Sequence, residues 1–234
     1  MAITVYWACA EEEWIKAEEP EKVLNRFYKT GFGKKDFFDP AAINYCPVFN
    51  ETFNNVFAIK SIYDYSFKVE NGQCVSSDHD QKFFDEHVFI RLLEKKFFSF
   101  NVRYIFFTEE DDLNMSAYQY PFFEDNEITK RCMIIPGDFN IGKYFRNLEF
   151  PFILKKEYDE FIVNNEDVLY YLKFHTEEKI KFKQFRYNEN LKQMLADVRK
   201  ANSGNKRGAS MQVYYNKFKG KKYILNQIKQ NLID

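Results

Sequence analysis

The stretch Phe97–Thr108 (Phe-Phe-Ser-Phe-Asn-Val-Arg-Tyr-Ile-Phe-Phe-Thr) constrains the fold more than any other. It is aromatic and β-branched over twelve positions, which predicts a long central strand. Rings are abundant elsewhere too, with 27 Phe, 16 Tyr and 2 Trp in 234 residues. Each buries a large area, so a Phe-dominated core is expected. Codon bias is a competing source, because Phe, Tyr, Asn and Lys are all encoded by AT-rich codons.

Charge is unevenly placed, and codon bias does not account for that. Residues 179–234 carry 14 Lys and Arg against Glu189, Asp197 and Asp234, a net of +11. The first 178 residues carry 20 basic and 32 acidic side chains, a net of −12, so the total of −1 conceals a dipolar chain. Such asymmetry bears on partners.

The cysteines (Cys9, Cys46, Cys74, Cys132) are widely spaced and form no C-x-x-C pair, which favours reduced thiols over a disulfide framework. The N-terminal apolar run meets Glu11–Glu13 at once, unlike a secretory signal, and no run is long enough to cross a membrane. A soluble protein of the host cytoplasm or of a virion is expected, with no membrane contact.

Along the chain, Ile3–Cys9 predicts a strand. Pro20 opens a helix through Val23, Leu24, Phe27 and Tyr28, and residues 47–59 predict a second helix. Ser61–Val69 alternates as a half-buried strand, and Asn71-Gly72 turns it into Gln73–Ser76. Asp80 caps a helix running to about Leu93. Asn114–Phe122 is expected to pair with Phe97–Thr108. Residues 130–135 and the second half of 138–154 are further strands, separated by a turn at Pro136-Gly137-Asp138. Val168–Phe174 and Lys179–Tyr187 predict a hairpin around His175–Glu178. Two helices follow, capped by Asn188 and Ser210, with Leu191, Met194, Leu195 and Val198 striping the first. The resulting fold class is α+β: a largely antiparallel sheet with packed helices, ending in a basic β-hairpin and two α-helices. An acidic, aromatic-rich body (1–165) carries a basic unit (166–234) packed upon it.

The candidate binding surface lies in that basic unit. In a strand, Lys179, Lys181 and Lys183 share one face and repeat every ~7 Å, while Ile180 and Phe182 face the other way. Arg186, Lys206, Arg207, Lys217, Lys219, Lys221 and Lys222 extend the field. Such a row suits a nucleic-acid backbone if Phe185 or Tyr187 is exposed for stacking. It equally suits a charged edge strand that discourages aggregation, or docking on acidic neighbours such as Glu109–Asp112.

Catalytic patterns are thin. Asp85 with Glu94 and Lys96 loosely matches the Asp…Glu-x-Lys arrangement of Mg²⁺-dependent nucleases, but Glu-x-Lys is frequent in a Lys-rich chain. Asp78-His79-Asp80 with His87 reads as a helix-capping turn before a partly buried histidine. No Ser/His/Asp or Cys/His set, P-loop, metal site or cofactor motif is assembled.

Four segments, Val5–Trp14, Ser61–Tyr65, Tyr104–Glu110 and Ile134–Phe150, resemble uncharacterised proteins of marine tailed phages and ocean viral sequences. The resemblance implies a viral origin and carries no catalytic residues. The leading expectation is a non-enzymatic viral protein acting in assembly or partner binding, including self-association, through its basic C-terminal surface. A nucleic-acid-binding protein using residues 179–183 and the last helix is the alternative, and a Mg²⁺-dependent nuclease the third.

Overall fold

The computed structural model describes residues 2–9, 18–25, 47–70, 73–76, 78–118, 126–204 and 220–233. Sheet A runs in the order β14 (Lys179–Gln184), β1 (Ala2–Cys9), β7 (Phe97–Thr108), β11 (Asn147–Leu154), β9 (Cys132–Ile134). Strand β6 (Val88–Leu92) shares one edge of β7 with β1. Sheet B is β10 (Gly137–Asn140), β8 (Asn114–Tyr118), β13 (Val168–Phe174), β3 (Val56–Lys60), β2 (Glu21–Lys22). Sheet C is β12 (Glu160–Val163), β4 (Tyr65–Glu70), β5 (Gln73–Ser76). The helices are α1 (Pro47–Phe53), α2 (Gln81–His87), α3 (Glu127–Arg131), α4 (Glu189–Gly204) and α5 (Gly220–Gln230). The protein is α+β. Among the described residues every ladder is antiparallel except β1 with β14.

Strand β7 is central because it is apolar on both sides. Phe98, Phe100, Tyr104 and Phe106 enter the main core between the sheets. Ile105 and Phe107 enter a second cluster on the opposite face of sheet A, roofed by α4 and α5 through Leu191, Met194, Leu195, Ile224 and Ile228. A strand buried on both faces reads as a continuous apolar run. The main core is ring-on-ring: Phe161 stacks on Phe67 and Phe100 at 4.8 and 5.0 Å between centroids, and Tyr65 meets Phe100 edge-on at 4.9 Å. Each such pair contributes roughly 0.5–1.5 kcal/mol beyond its burial. A third cluster, including Phe53 of α1 with Val56 and Tyr171, covers the far face of sheet B.

Several local expectations are corrected. Residues 47–59 are not one helix: α1 stops at Phe53, Asn55 takes a left-handed φ of 53°, and β3 begins at Val56. Asn tolerates that conformation, and Val-Phe-Ala-Ile prefers a strand. Likewise α2, capped by Asp80 accepting from Phe83 N at 2.8 Å, ends at His87, and Val88–Leu92 pairs with β7 instead of extending the helix. Strand β8 pairs with β10 and β13, not with β7, whose edges are already taken by β1, β6 and β11. Gly137 begins a strand where a turn is expected. Residues 130–135 divide between the end of α3 and the short strand β9.

The basic β-hairpin does not form. Both strands exist, but β13 lies in sheet B between β8 and β3, so it has no edge to offer. The chain crosses at residues 175–178 into sheet A, where β14 runs parallel to β1 with Ala2 opposite Lys179 and Trp7 opposite Gln184. Asn55 guides the crossing: its Nδ2 donates to the carbonyls of Thr176 and Glu178, both at 2.8 Å. Glu21 and Lys22 pair with β3 as strand β2 where a helix from Pro20 is expected; residues 23–25 are helical, and the rest of that helix lies outside the described residues, as do the Asn71-Gly72 turn and the Ser210 cap.

Candidate interaction surface

The two oppositely charged regions meet within one molecule. Residues 109–112 follow the end of β7, and α5 packs through Ile224 and Ile228 into the cluster that holds Ile105 and Phe107 of that strand. Glu109 Oε1 accepts from Tyr6 OH at 2.7 Å and pairs with Lys229 Nζ at 2.9 Å. Lys221 Nζ reaches Asp111 at 2.7 Å and also the Glu109 carbonyl. Lys143 Nζ meets Asp112 at 2.8 Å. The Tyr6 hydrogen bond, then Lys229, hold the Glu109 carboxyl below its ordinary range, and Lys221 does the same for Asp111. Burial, reinforced by Glu109, pushes the Tyr6 phenol well above its ordinary value. The loop is also fixed from below. Asn140 Nδ2 donates to the Asp111 carbonyl at 2.8 Å, and a Cβ at Gly142 would overlap the Glu110 carbonyl. Lys221 and Lys229 are therefore engaged by acids of their own chain.

Strand β14 keeps its lysines outward. Its burial alternates strictly: Lys179, Lys181 and Lys183 exposed, Ile180 and Phe182 half-buried against the main core. Phe182 meets Phe57 at 4.8 Å between centroids. By strand alternation the lysines project from the same face as Phe185, which is 1% exposed under the terminal helices. Tyr187 is half-buried in that same cluster. The rings expected to stack on bases are thus structural. Among the described residues no ion pair engages the three lysines.

The outer edge of β14 is also legible. Phe185 N donates to the Trp7 carbonyl at 2.9 Å, so odd-numbered backbone groups point at β1 and even-numbered ones point away. Beyond Gln184 the edge is occupied by the chain itself. Arg186 N donates to Asn231 O at 2.7 Å and Ile233 N to Gln184 O at 2.9 Å, an antiparallel clasp around the Phe185–Leu232 bridge. Upstream, among the described residues, no strand pairs with Ile180 or Phe182 on that side.

Of the remaining basic candidates, Arg186 and Lys222 are exposed, while Lys206, Arg207, Lys217 and Lys219 lie outside the described residues. The nuclease trio is distributed differently from what metal chemistry asks. Asp85 is exposed on α2 and accepts from Gln81 at 2.7 Å. Glu94 is exposed in a 3-10 turn. Lys96 Nζ is committed to the Tyr158 carbonyl at 2.6 Å and Asp159 at 2.5 Å. Among the described residues no three His, Cys, Asp or Glu side chains gather to hold a metal ion. His79 and His87 flank the Phe83 ring at 4.1 and 4.0 Å and donate to the carbonyls of Asp64 and Phe83.

One constellation escapes sequence reading. The Ser116 hydroxyl bonds His175 Nε2, and Asp138 Oδ1 stands 3.7 Å from that same nitrogen. A hydrolytic relay needs the carboxylate at the other ring nitrogen and a reachable hydroxyl. Here Ser116 is 2% exposed inside the sheet B ladder, so the trio ties β8, β10 and the end of β13 together. Nothing in the spacing of 116, 138 and 175 marks it beforehand. Asp138 also borders a cleft of about 410 Å³ lined by Tyr144, Arg146 and Glu149. Arg91 pairs with Glu149 there. No helix among the described residues is long and apolar enough to cross a membrane.

Comparison with known proteins returned no match among family models, curated proteins or solved structures.

Proposed function

We propose that the chain is a non-enzymatic partner-binding protein acting in assembly, and that its working surface is the lysine face of β14 reading carboxylates on an acidic protein partner. One observation carries this reading: three lysines stand in a row, exposed and unengaged among the described residues, on a strand at the edge of a sheet. Phosphate is the poorer fit because the adjacent ring, Phe185, is buried, which removes the stacking platform that single-stranded nucleic acid uses.

The test compares poly-glutamate with oligothymidylate by fluorescence anisotropy at low and physiological salt, using the full chain and a K179Q/K181Q/K183Q variant. Poly-glutamate is expected to bind, to weaken as salt rises, and to lose at least ten-fold in the variant. Tighter lysine-dependent binding of oligothymidylate would instead establish the nucleic-acid alternative. Binding indifferent to the three substitutions would remove β14 as the surface.

A further inference from the structure

We propose that β14 receives its partner by strand addition: an extended segment with alternating acidic and apolar residues pairs antiparallel along Lys179–Lys183. The inference rests on the lysine-face reading above and specifies how that face is used.

Four features converge. First, β14 is terminal in sheet A, and the inward bond of Phe185 N to Trp7 O leaves the Ile180 and Phe182 backbone groups pointing outward. Among the described residues nothing pairs with them. Second, this edge already accepts an antiparallel strand two residues away, where Asn231–Ile233 clasps Gln184 and Arg186. A guest continuing upstream inherits that register. Third, side-chain alternation dictates the guest. Residues opposite Lys179, Lys181 and Lys183 lie on the lysine face, and those opposite Ile180 and Phe182 lie beside half-buried apolar groups. Acids at every second position repeat at ~7 Å, matching the lysines, with apolar residues between. Fourth, the same row rejects the obvious competitor. A second copy of β14, paired antiparallel about Lys181, sets lysine against lysine.

Strand addition takes affinity from main-chain hydrogen bonds and specificity from alternate side chains, so it predicts sensitivity to sequence order at fixed charge. The probes are two heptapeptides of identical composition, Glu-Val-Glu-Val-Glu-Val-Glu and Glu-Glu-Glu-Glu-Val-Val-Val, measured by isothermal titration with the full chain. Amide hydrogen exchange is read at single residues in parallel. The alternating peptide is expected to bind at least ten-fold tighter than the block peptide. It should slow exchange at Ile180 and Phe182 at least ten-fold while leaving Lys181 unchanged.

An Ile180→Pro variant, which deletes an outward N–H and spares the ladder to β1, should lose most of that preference. Because the proline also alters packing, exchange on the unsubstituted protein decides the matter alone. Equal affinity of the two peptides without protection at Ile180 and Phe182 overturns strand addition. If K179Q/K181Q/K183Q still abolishes binding in that case, the lysine-face reading stands by itself. Binding indifferent to those substitutions overturns both. Dimerisation of the free chain through protected Ile180 and Phe182 amides would show that the guest is another copy, and would equally refute the proposal.

Discussion

Replacing Ile228 by alanine should release α5 far more effectively than removing its charge contacts. Ile228 is fully buried in the cluster with Tyr6, Phe107 and Phe145, on the helix whose Lys221 and Lys229 reach the acidic loop. Truncating a buried Ile to Ala costs about 2–5 kcal/mol, the lost transfer energy plus the cavity left behind. For a chain of this length a central value of ~3 kcal/mol lowers Tm by roughly 6–12 °C.

The opposing charge term is small. Glu109 and Lys229 have half-exposed side chains, 50% and 46%, so their pair contributes at most about 1 kcal/mol. Asp111 is more exposed still, at 77%, and its pair with Lys221 is open to screening. In 1 M NaCl the Debye length shrinks to ~3 Å, which silences both. Differential scanning calorimetry of wild type, Ile228→Ala and Glu109→Gln, each at 0.05 and 1 M NaCl, separates the terms. Ile228→Ala should give the large drop at both salts. Glu109→Gln or high salt alone should move Tm by no more than about 2–4 °C. If salt or Glu109→Gln lowers Tm more than Ile228→Ala does, charge complementarity holds the helix and the packing argument fails.

Four other outcomes are expected. Glu109 titrates below its ordinary 4.5 in the folded state, so its contribution is full above that pH and is lost as pH falls through the depressed value. Glu109→Gln should flatten the acid limb of a Tm–pH curve, and an unchanged limb would contradict the assignment. Tyr6 titrates above its ordinary 10.0, so its contribution is lost as pH rises past 10, and Tyr6→Phe should flatten the alkaline limb. Gly142→Ala must displace the Glu110 backbone, so nuclear magnetic resonance shifts should spread from residues 109–112 into α5, and shifts confined to 141–143 would count against it. Asn55→Ala removes two hydrogen bonds made by a buried side chain and places alanine at φ 53°, costing roughly 2–4 kcal/mol in urea unfolding. Asn55→Gly should cost less, because glycine accepts that φ.

What could be read from sequence follows a physical line. Phe97–Thr108 announced itself because burial on both faces leaves a continuous apolar run, and β4 because alternation is a property of the strand itself. Asp80 and Asn188 were readable as caps for the same local reason, since each side chain satisfies a backbone N–H three residues on. Partnership between distant strands was not readable. Nothing in Val168–Phe174 says that both its edges are taken, or in Lys179–Gln184 that its mate lies at the other end of the chain. The lysine alternation at 179–183 was legible, since period two is a property of the strand itself. The burial of Phe185 was not, because it depends on where two later helices settle. Charge counting makes the acidic region a neighbour for the basic one, but does not single out Lys221 and Lys229 as the lysines engaged.

The parallel ladder between Ala2–Trp7 and Lys179–Gln184 has a consequence for the order of events during synthesis. Ladders such as β4–β5 close over a few residues and can form early, whereas β1 must wait for a segment nearly the whole chain away. Closing so long a loop costs entropy that grows with the logarithm of its length, and topologies rich in distant contacts fold slowly, in milliseconds to seconds. Until then β1 offers β7 on one side and an open edge on the other. The surface that carries the lysines is therefore among the last parts of the molecule to exist. A chain stalled before Gln184 lacks it, so engagement through this edge would report that Lys179–Gln184 has docked on Ala2–Trp7.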